Sequence, residues 1–212
     1  GRSAIEELGG VNVVMAGGRD LFPPSALRLH GLRAFEMQNI NSAILYAASI
    51  LVQGCDTLRE IFLALVNSRA DTLYKTESLI YEPGRGYTAW VDDKRIVLGN
   101  REMMQKHDIA LPSIEQEMKY VQERDRRPLY LAVSGQLYAM FVVGYSPNEE
   151  VQMTLDSLVN SGVSLLIDSN DMNISDELIE DVYDLPRGFV KVLGVRDLER
   201  LGPLTSYLDE SE

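Results

Sequence analysis

The sequence predicts an α/β protein: a discontinuous parallel-sheet domain with an α+β domain, antiparallel sheet plus helices, inserted into it. Two observations carry this. At both ends of the chain, short β-branched apolar runs alternate with amphipathic helical patterns, the grammar of a parallel sheet with crossover helices. Between them the hydrophobic period drops to two, with turn residues at the joints, as in an antiparallel sheet. Composition agrees: of 212 residues, 45% are hydrophobic and 25% charged, ordinary for a globular chain that buries a sizeable core.

The elements follow in order. Residues 4–8 read as helical, and the chain starts abruptly, as if cut inside a helix. Val11-Asn-Val-Val-Met15 reads as a buried strand ending at Gly17-Gly18, with Pro23-Pro24 beyond. Residues 26–35 alternate apolar and basic, an extended segment. Helical patterns cover 42–52, with Ile44, Leu45, Ala48, Leu51 and Val52 on one face, and 58–67. Strands are expected at 78–82, 87–91 and 95–98, the last two joined at Asp92-Asp93. Helices follow at 100–107 and 114–124, then a hairpin, 129–133 and 137–143, around Ser134-Gly135. After Tyr145-Ser-Pro147 the pattern is helix 149–160, strand 164–167, helix 176–183 and strand 190–193. The domain division expected from these breaks is 1–35 with 146–198, an insert at 36–145, and a tail at 199–212.

Charge excludes some partners. With 32 acidic against 20 basic residues, the net charge is −12. Such a surface repels nucleic acid and anionic lipid, and no segment is apolar enough to insert into a bilayer. Cys55 has no partner for an internal disulfide and suits a reducing compartment. His30, His107 and Cys55 lack any zinc-like spacing, so no metal ligands are assigned.

Four stretches, in this order and spacing, resemble one family. They are the start through Val11-Asn-Val-Val14; Tyr81-Glu-Pro-Gly-Arg-Gly86 with the run from Trp90 to Leu98-Gly99-Asn100; the hairpin from Leu131 to Val143; and the run from Leu158 to Asp171. Together they resemble the cytosolic headpiece of P-type ATPases of the heavy-metal-transporting branch. The resemblance covers nearly the whole chain. It implies a phosphorylation domain of haloacid dehalogenase-like fold carrying an inserted nucleotide-binding domain. It also implies a membrane-embedded parent with this part on the cytoplasmic side, and ATP with magnesium as the family's cofactors.

The family's chemistry needs an aspartate at the end of the first strand, in D-K-T-G-T-L-T, to accept the γ-phosphoryl group. Here Ala16-Gly17-Gly18-Arg19-Asp20-Leu21-Phe22 stands there, and the aspartate slot falls on Ala16 or Gly17. Asp20 reads as a turn or cap residue rather than a displaced nucleophile. No catalytic residue is assigned. The T-G-D-N loop matches Ser169, Asn170, Asp171 and Met172; these read first as a capping cluster for the helix from Asp176, with Ser169 and Asp171 keeping a phosphate-loop chemistry as the alternative. The family's G-D-G-x-N-D magnesium loop has no counterpart in this sequence.

In the inserted part, S-E-H-P falls on Gly54-Cys55-Asp56-Thr57, so the adenine-supporting histidine is replaced by Asp56. The glycine turn survives as Gly84-Arg85-Gly86, and Gly99-Asn100 matches a later turn. Gly84, Gly86, Gly99, Asn100, Ser169 and Asp171 are therefore the candidate nucleotide-site residues, with Arg85 and Trp90 in reach of a phosphate or a base, or else solvated. The basic run 124–127 reads as a helix-end cap. The function expected is a catalytically degenerate headpiece with a regulatory or interaction role. The alternatives are an active haloacid dehalogenase-type ATPase or phosphatase with an atypical site, and a module that binds nucleotide without hydrolysis.

Overall fold

The computed structural model describes residues 4–8 and 11–194. The tail expected at 199–212 lies outside the described residues. Two sheets organise the chain, and the fold class is the one the sequence predicts. The first has four strands, β1 (Ala4–Leu8), β2 (Val11–Gly17), β9 (Ser164–Asp168) and β10 (Val190–Val192), in the order β1-β2-β9-β10. β2, β9 and β10 run parallel, and β1 adds an antiparallel edge. Helices α6 (Glu149–Asn160) and α7 (Asp176–Tyr183) are its crossovers.

Residues 4–8, expected to be helical, are thus a strand. Their antiparallel pairing runs from Ala4 opposite Met15 to Leu8 opposite Val11. Five residues carry too little periodicity to separate helix from strand, and an adjacent unpaired edge decides it.

The second sheet has six antiparallel strands in the order β3-β8-β7-β6-β5-β4. They are β3 (Leu27–Ala34), β4 (Thr76–Glu82), β5 (Gly86–Val91), β6 (Lys94–Gly99), β7 (Arg126–Val133) and β8 (Gln136–Tyr145). The strand at 27–34, grouped by sequence with the first strand of the chain, stands here instead, paired along β8 from Leu27 opposite Tyr145 to Ala34 opposite Ala139. Its apolar–basic alternation is that of an edge strand with one face on a core and one in water. The diproline at 23–24 makes the break that carries the chain from one sheet to the other.

Helices cover both faces of the six-stranded sheet. On one lie α2 (Ile40–Gly54) and α3 (Arg59–Leu65), on the other α4 (Arg101–Lys106) and α5 (Ile114–Val121). α2 buries Ala43, Tyr46, Ala47, Ala48, Ile50 and Leu51, so that Ala48 and Leu51 of the expected face are covered while its Ile44, Leu45 and Val52 are only partly so. The buried stripe differs from the expected one because α2 is covered by α3 as well as by the sheet, which α3 itself meets through Phe62 against Phe141. Under α4 and α5 a smaller core forms from Val97, Met103, Met104, Ile109, Tyr130 and Met140. The larger core is continuous across both sheets, from Val14, Leu165 and Ile167 of the first to Phe62, Leu98 and Phe141 of the second.

Candidate functional site

In a parallel α/β sheet, ligands meet the carboxyl ends of the strands. At that end Gly17 of β2 stands opposite Asp168 of β9. The chain then turns into α1 (Gly18–Leu21), a single helical turn. Ala16 and Gly17 present no oxygen nucleophile. The Asp20 carboxylate turns back and accepts a hydrogen bond from the Gly17 N–H at 2.8 Å, the local role expected of a turn residue. Gly18 leaves no room for a side chain: a Cβ there would lie 2.7 Å from Ser169 Oγ. Arg19 points away toward the six-stranded sheet, where it donates to Glu60 at 2.6 and 3.1 Å and to the Asp56 carbonyl at 2.7 Å.

The loop after β9 carries the polar centre. Asp171 is buried, 1% exposed. Its Oδ2 accepts from Thr57 Oγ1 at 2.8 Å and Tyr145 OH at 2.7 Å, and its Oδ1 accepts from the Asn173 N–H at 2.9 Å. Burial pushes its carboxyl above the ordinary range, and these three donors only partly offset that. Tyr145 is pushed well above its ordinary value, first by burial and then by Asp171, so it stays protonated and donates. Ser169 accepts from the Asp171 N–H at 3.0 Å, and Ser175 caps α7 by accepting from Leu178 N–H at 3.1 Å. Among the described residues the buried Asn173 Nδ2 makes no hydrogen bond within ordinary geometry.

A cleft of about 520 Å³ opens between the two sheets beside this centre. Four of the six candidates line it: Gly84 and Asn100 from the six-stranded side, Ser169 and Asp171 from the parallel side. Asn100 is used internally, since its Nδ2 donates to the Gly84 carbonyl at 2.7 Å and its Oδ1 caps α4 by accepting from Met103 N–H at 3.1 Å. Gly86 and Gly99 are not in the cleft. They face each other across β5 and β6, where a Cβ on Gly86 would lie 2.1 Å from the Leu98 carbonyl oxygen and one on Gly99 2.2 Å from that of Arg85. Those two glycines serve strand packing. Gly84, with φ +73° and open space around it, is the turn glycine. Arg85 and Trp90 do not line the cleft either, and Trp90 is 45% exposed on the sheet surface.

The cleft's charges oppose a polyphosphate. Glu102, Asp176, Glu177 and the buried Asp171 line it against one cation, Arg127, which already donates to the Arg124 and Arg126 carbonyls. A triphosphate brings about four negative charges of its own to such a rim. Among the described residues no group of three or more His, Cys, Asp or Glu is placed to hold a metal ion. The residues present therefore do not fit magnesium–ATP. Thr57 and Tyr145 are not legible in the sequence as members of the polar centre, because Thr57 lies 114 positions before Asp171 and Tyr145 ends an ordinary strand.

No family model matches the sequence. Curated relatives do, among them a copper-exporting P-type ATPase of Staphylococcus haemolyticus (strain JCSC1435), 26% identical over 89 residues, and one of Staphylococcus aureus (strain MW2), 24% identical over 115. These matches take in 42% and 54% of this chain but 11% and 14% of the relatives, so the chain spans a small part of their length. Among solved structures, the catalytic domain of the CPx-ATPase CopB-B, described for its conformational changes upon nucleotide binding, aligns at TM-score 0.53 with 14% identity. That alignment covers 91% of this chain and 66% of that one. In sequence and in fold, the chain is similar to the cytosolic headpiece of the heavy-metal-transporting P-type ATPases.

Proposed function

We propose that this chain is a catalytically silent headpiece of a P-type ATPase-like membrane protein, lying on the cytoplasmic side and acting through regulation or interaction rather than phosphoryl transfer. Residues 4–26 and 146–194 make its phosphorylation-domain-like part, and 27–145 its nucleotide-domain-like part. The observation that carries the reading is the carboxyl end of β2. Phosphoryl transfer needs an in-line oxygen nucleophile with cations positioned about it. Ala16 and Gly17 offer none, Asp20 is spent on the Gly17 amide, and Arg19 is spent on Glu60.

The acidic cleft supports weak nucleotide affinity at most. A test is incubation with γ-labelled ATP and magnesium, acid quench and electrophoresis at low pH. No covalent label is expected. Acid-stable, hydroxylamine-sensitive label that vanishes in Asp20→Asn would establish an active enzyme and overturn the reading.

A further inference from the structure

The chain crosses between its two sheets twice, through residues 22–27 and 145–149, and two such linkers would ordinarily form a hinge. Here the hinge is filled and bonded. The Ser146 N–H donates to the Ala26 carbonyl at 2.8 Å, tying one linker to the other. Phe22 is fully buried between the Tyr145 ring, edge-on at 5.2 Å, and the Tyr183 ring at 5.6 Å. The Tyr183 hydroxyl donates to the Leu21 carbonyl and accepts from the Asn148 N–H.

At the far side of the interface a second set of bonds spans the gap. Asn170 donates to the Gly54 carbonyl at 2.9 Å, accepts from the Asp56 N–H at 3.3 Å, and takes the Tyr87 hydroxyl on its own carbonyl. Asp171 takes Thr57, and Arg19 takes Glu60 and the Asp56 carbonyl. These links fix the loop 169–171 and α1 of the parallel side against the 54–60 joint of the other.

From this double fixation we infer that residues 54–60, 169–171 and Arg19 form a latch that locks the two sheets into one closed body, so that the cleft between them has a set width. The inference does not depend on whether the headpiece is silent. A hinge that opens must break bonded groups on one side while keeping them on the other. Here opening exposes a buried carboxylate and hydroxyl, and the desolvated pair Thr57–Asp171 is a costly one to separate. The 54–60 joint is the shared member: releasing it leaves Asn170, Asp171 and Arg19 all without their partners there, and releasing 169–171 leaves the buried Thr57 hydroxyl without its acceptor.

Spin labels placed at Lys119→Cys on α5 and Ser157→Cys on α6, both exposed, read the distance between the two sides. The native Cys55 is buried with its thiol pushed up to about 12, so it stays unlabelled. A single narrow distance distribution is expected, gaining a longer component when Arg19→Ala, Thr57→Val and Asn170→Ala are combined. A broad or two-peaked distribution without those changes would overturn the latch, and so would an unchanged distribution in the folded triple variant. Hydrogen exchange on Arg19→Ala alone, a change that leaves the core contacts in place, is the second reading. Amides of 54–60 and 169–173 should lose protection together, and loss confined to 54–60 would refute the coupling.

Discussion

Replacing Asp171 separates two things the buried carboxylate does. In Asp171→Ala the Thr57 hydroxyl, the Tyr145 hydroxyl and the Asn173 N–H all lose their acceptor inside the protein. At about 1–2 kcal/mol for each buried donor left unsatisfied, the loss is on the order of 4 kcal/mol. That is a large part of the ~5–15 kcal/mol that holds a domain together. Asp171→Asn keeps the shape. Its Oδ1 still accepts from Asn173, and both hydroxyls can turn to accept from the new amide, so the change should stay within about 1 kcal/mol.

The pH response has a definite sign. Because burial raises the folded carboxyl above its unfolded value, the folded state holds the proton more tightly. Stability of the unmutated protein relative to Asp171→Asn is therefore highest in acid. It falls as pH rises from the ordinary carboxylate value to the raised folded one, then levels. Urea unfolding of the three proteins across that window measures all of this. Equal midpoints for Asp171→Ala and the unmutated chain would refute the buried network, and a stability of the unmutated chain that rises with pH relative to Asp171→Asn would refute the assigned direction.

Other outcomes follow from packing. Gly86→Ala should prevent folding, judged by circular dichroism, because its Cβ cannot avoid the Leu98 carbonyl at 2.1 Å, whereas Gly84→Ala costs only the left-handed turn, about 1 kcal/mol. Phe62→Ala, which removes a fully buried ring set edge-on to Phe141 at 5.1 Å, should cost about 3–5 kcal/mol in chemical denaturation. Glu60→Ala removes a partly exposed ion pair with Arg19 and should cost less than about 1 kcal/mol, an effect that shrinks in high salt.

Local pattern carried much of this protein on its own. The period of two at 87–91, 95–98, 129–133 and 137–143 is enough for the antiparallel strands, because alternate residues turn to opposite faces of the sheet, in the last three to the larger and the smaller core in turn. The β-branched run at 11–15 and the amphipathic pattern at 149–160 are enough for the parallel part. That Ala16 and Gly17 carry no side-chain oxygen is likewise legible in the sequence alone.

What the sequence left undecided is everything settled by a neighbour distant in the chain. Residues 4–8 are a strand only because β2 offers an edge, and β3 joins the six-stranded sheet only because β8 is long enough to pair along it. Three look-alike glycine positions divide by what lies opposite them: Gly84 opens on the cleft, while Gly86 and Gly99 close against carbonyls across two strands. Asp171 was legible as a loop acid, but its burial under Thr57, 114 positions earlier, was not. Periodicity reports which face a side chain turns inward; it carries no information about which partner waits there, and only the packed tertiary structure supplies that partner.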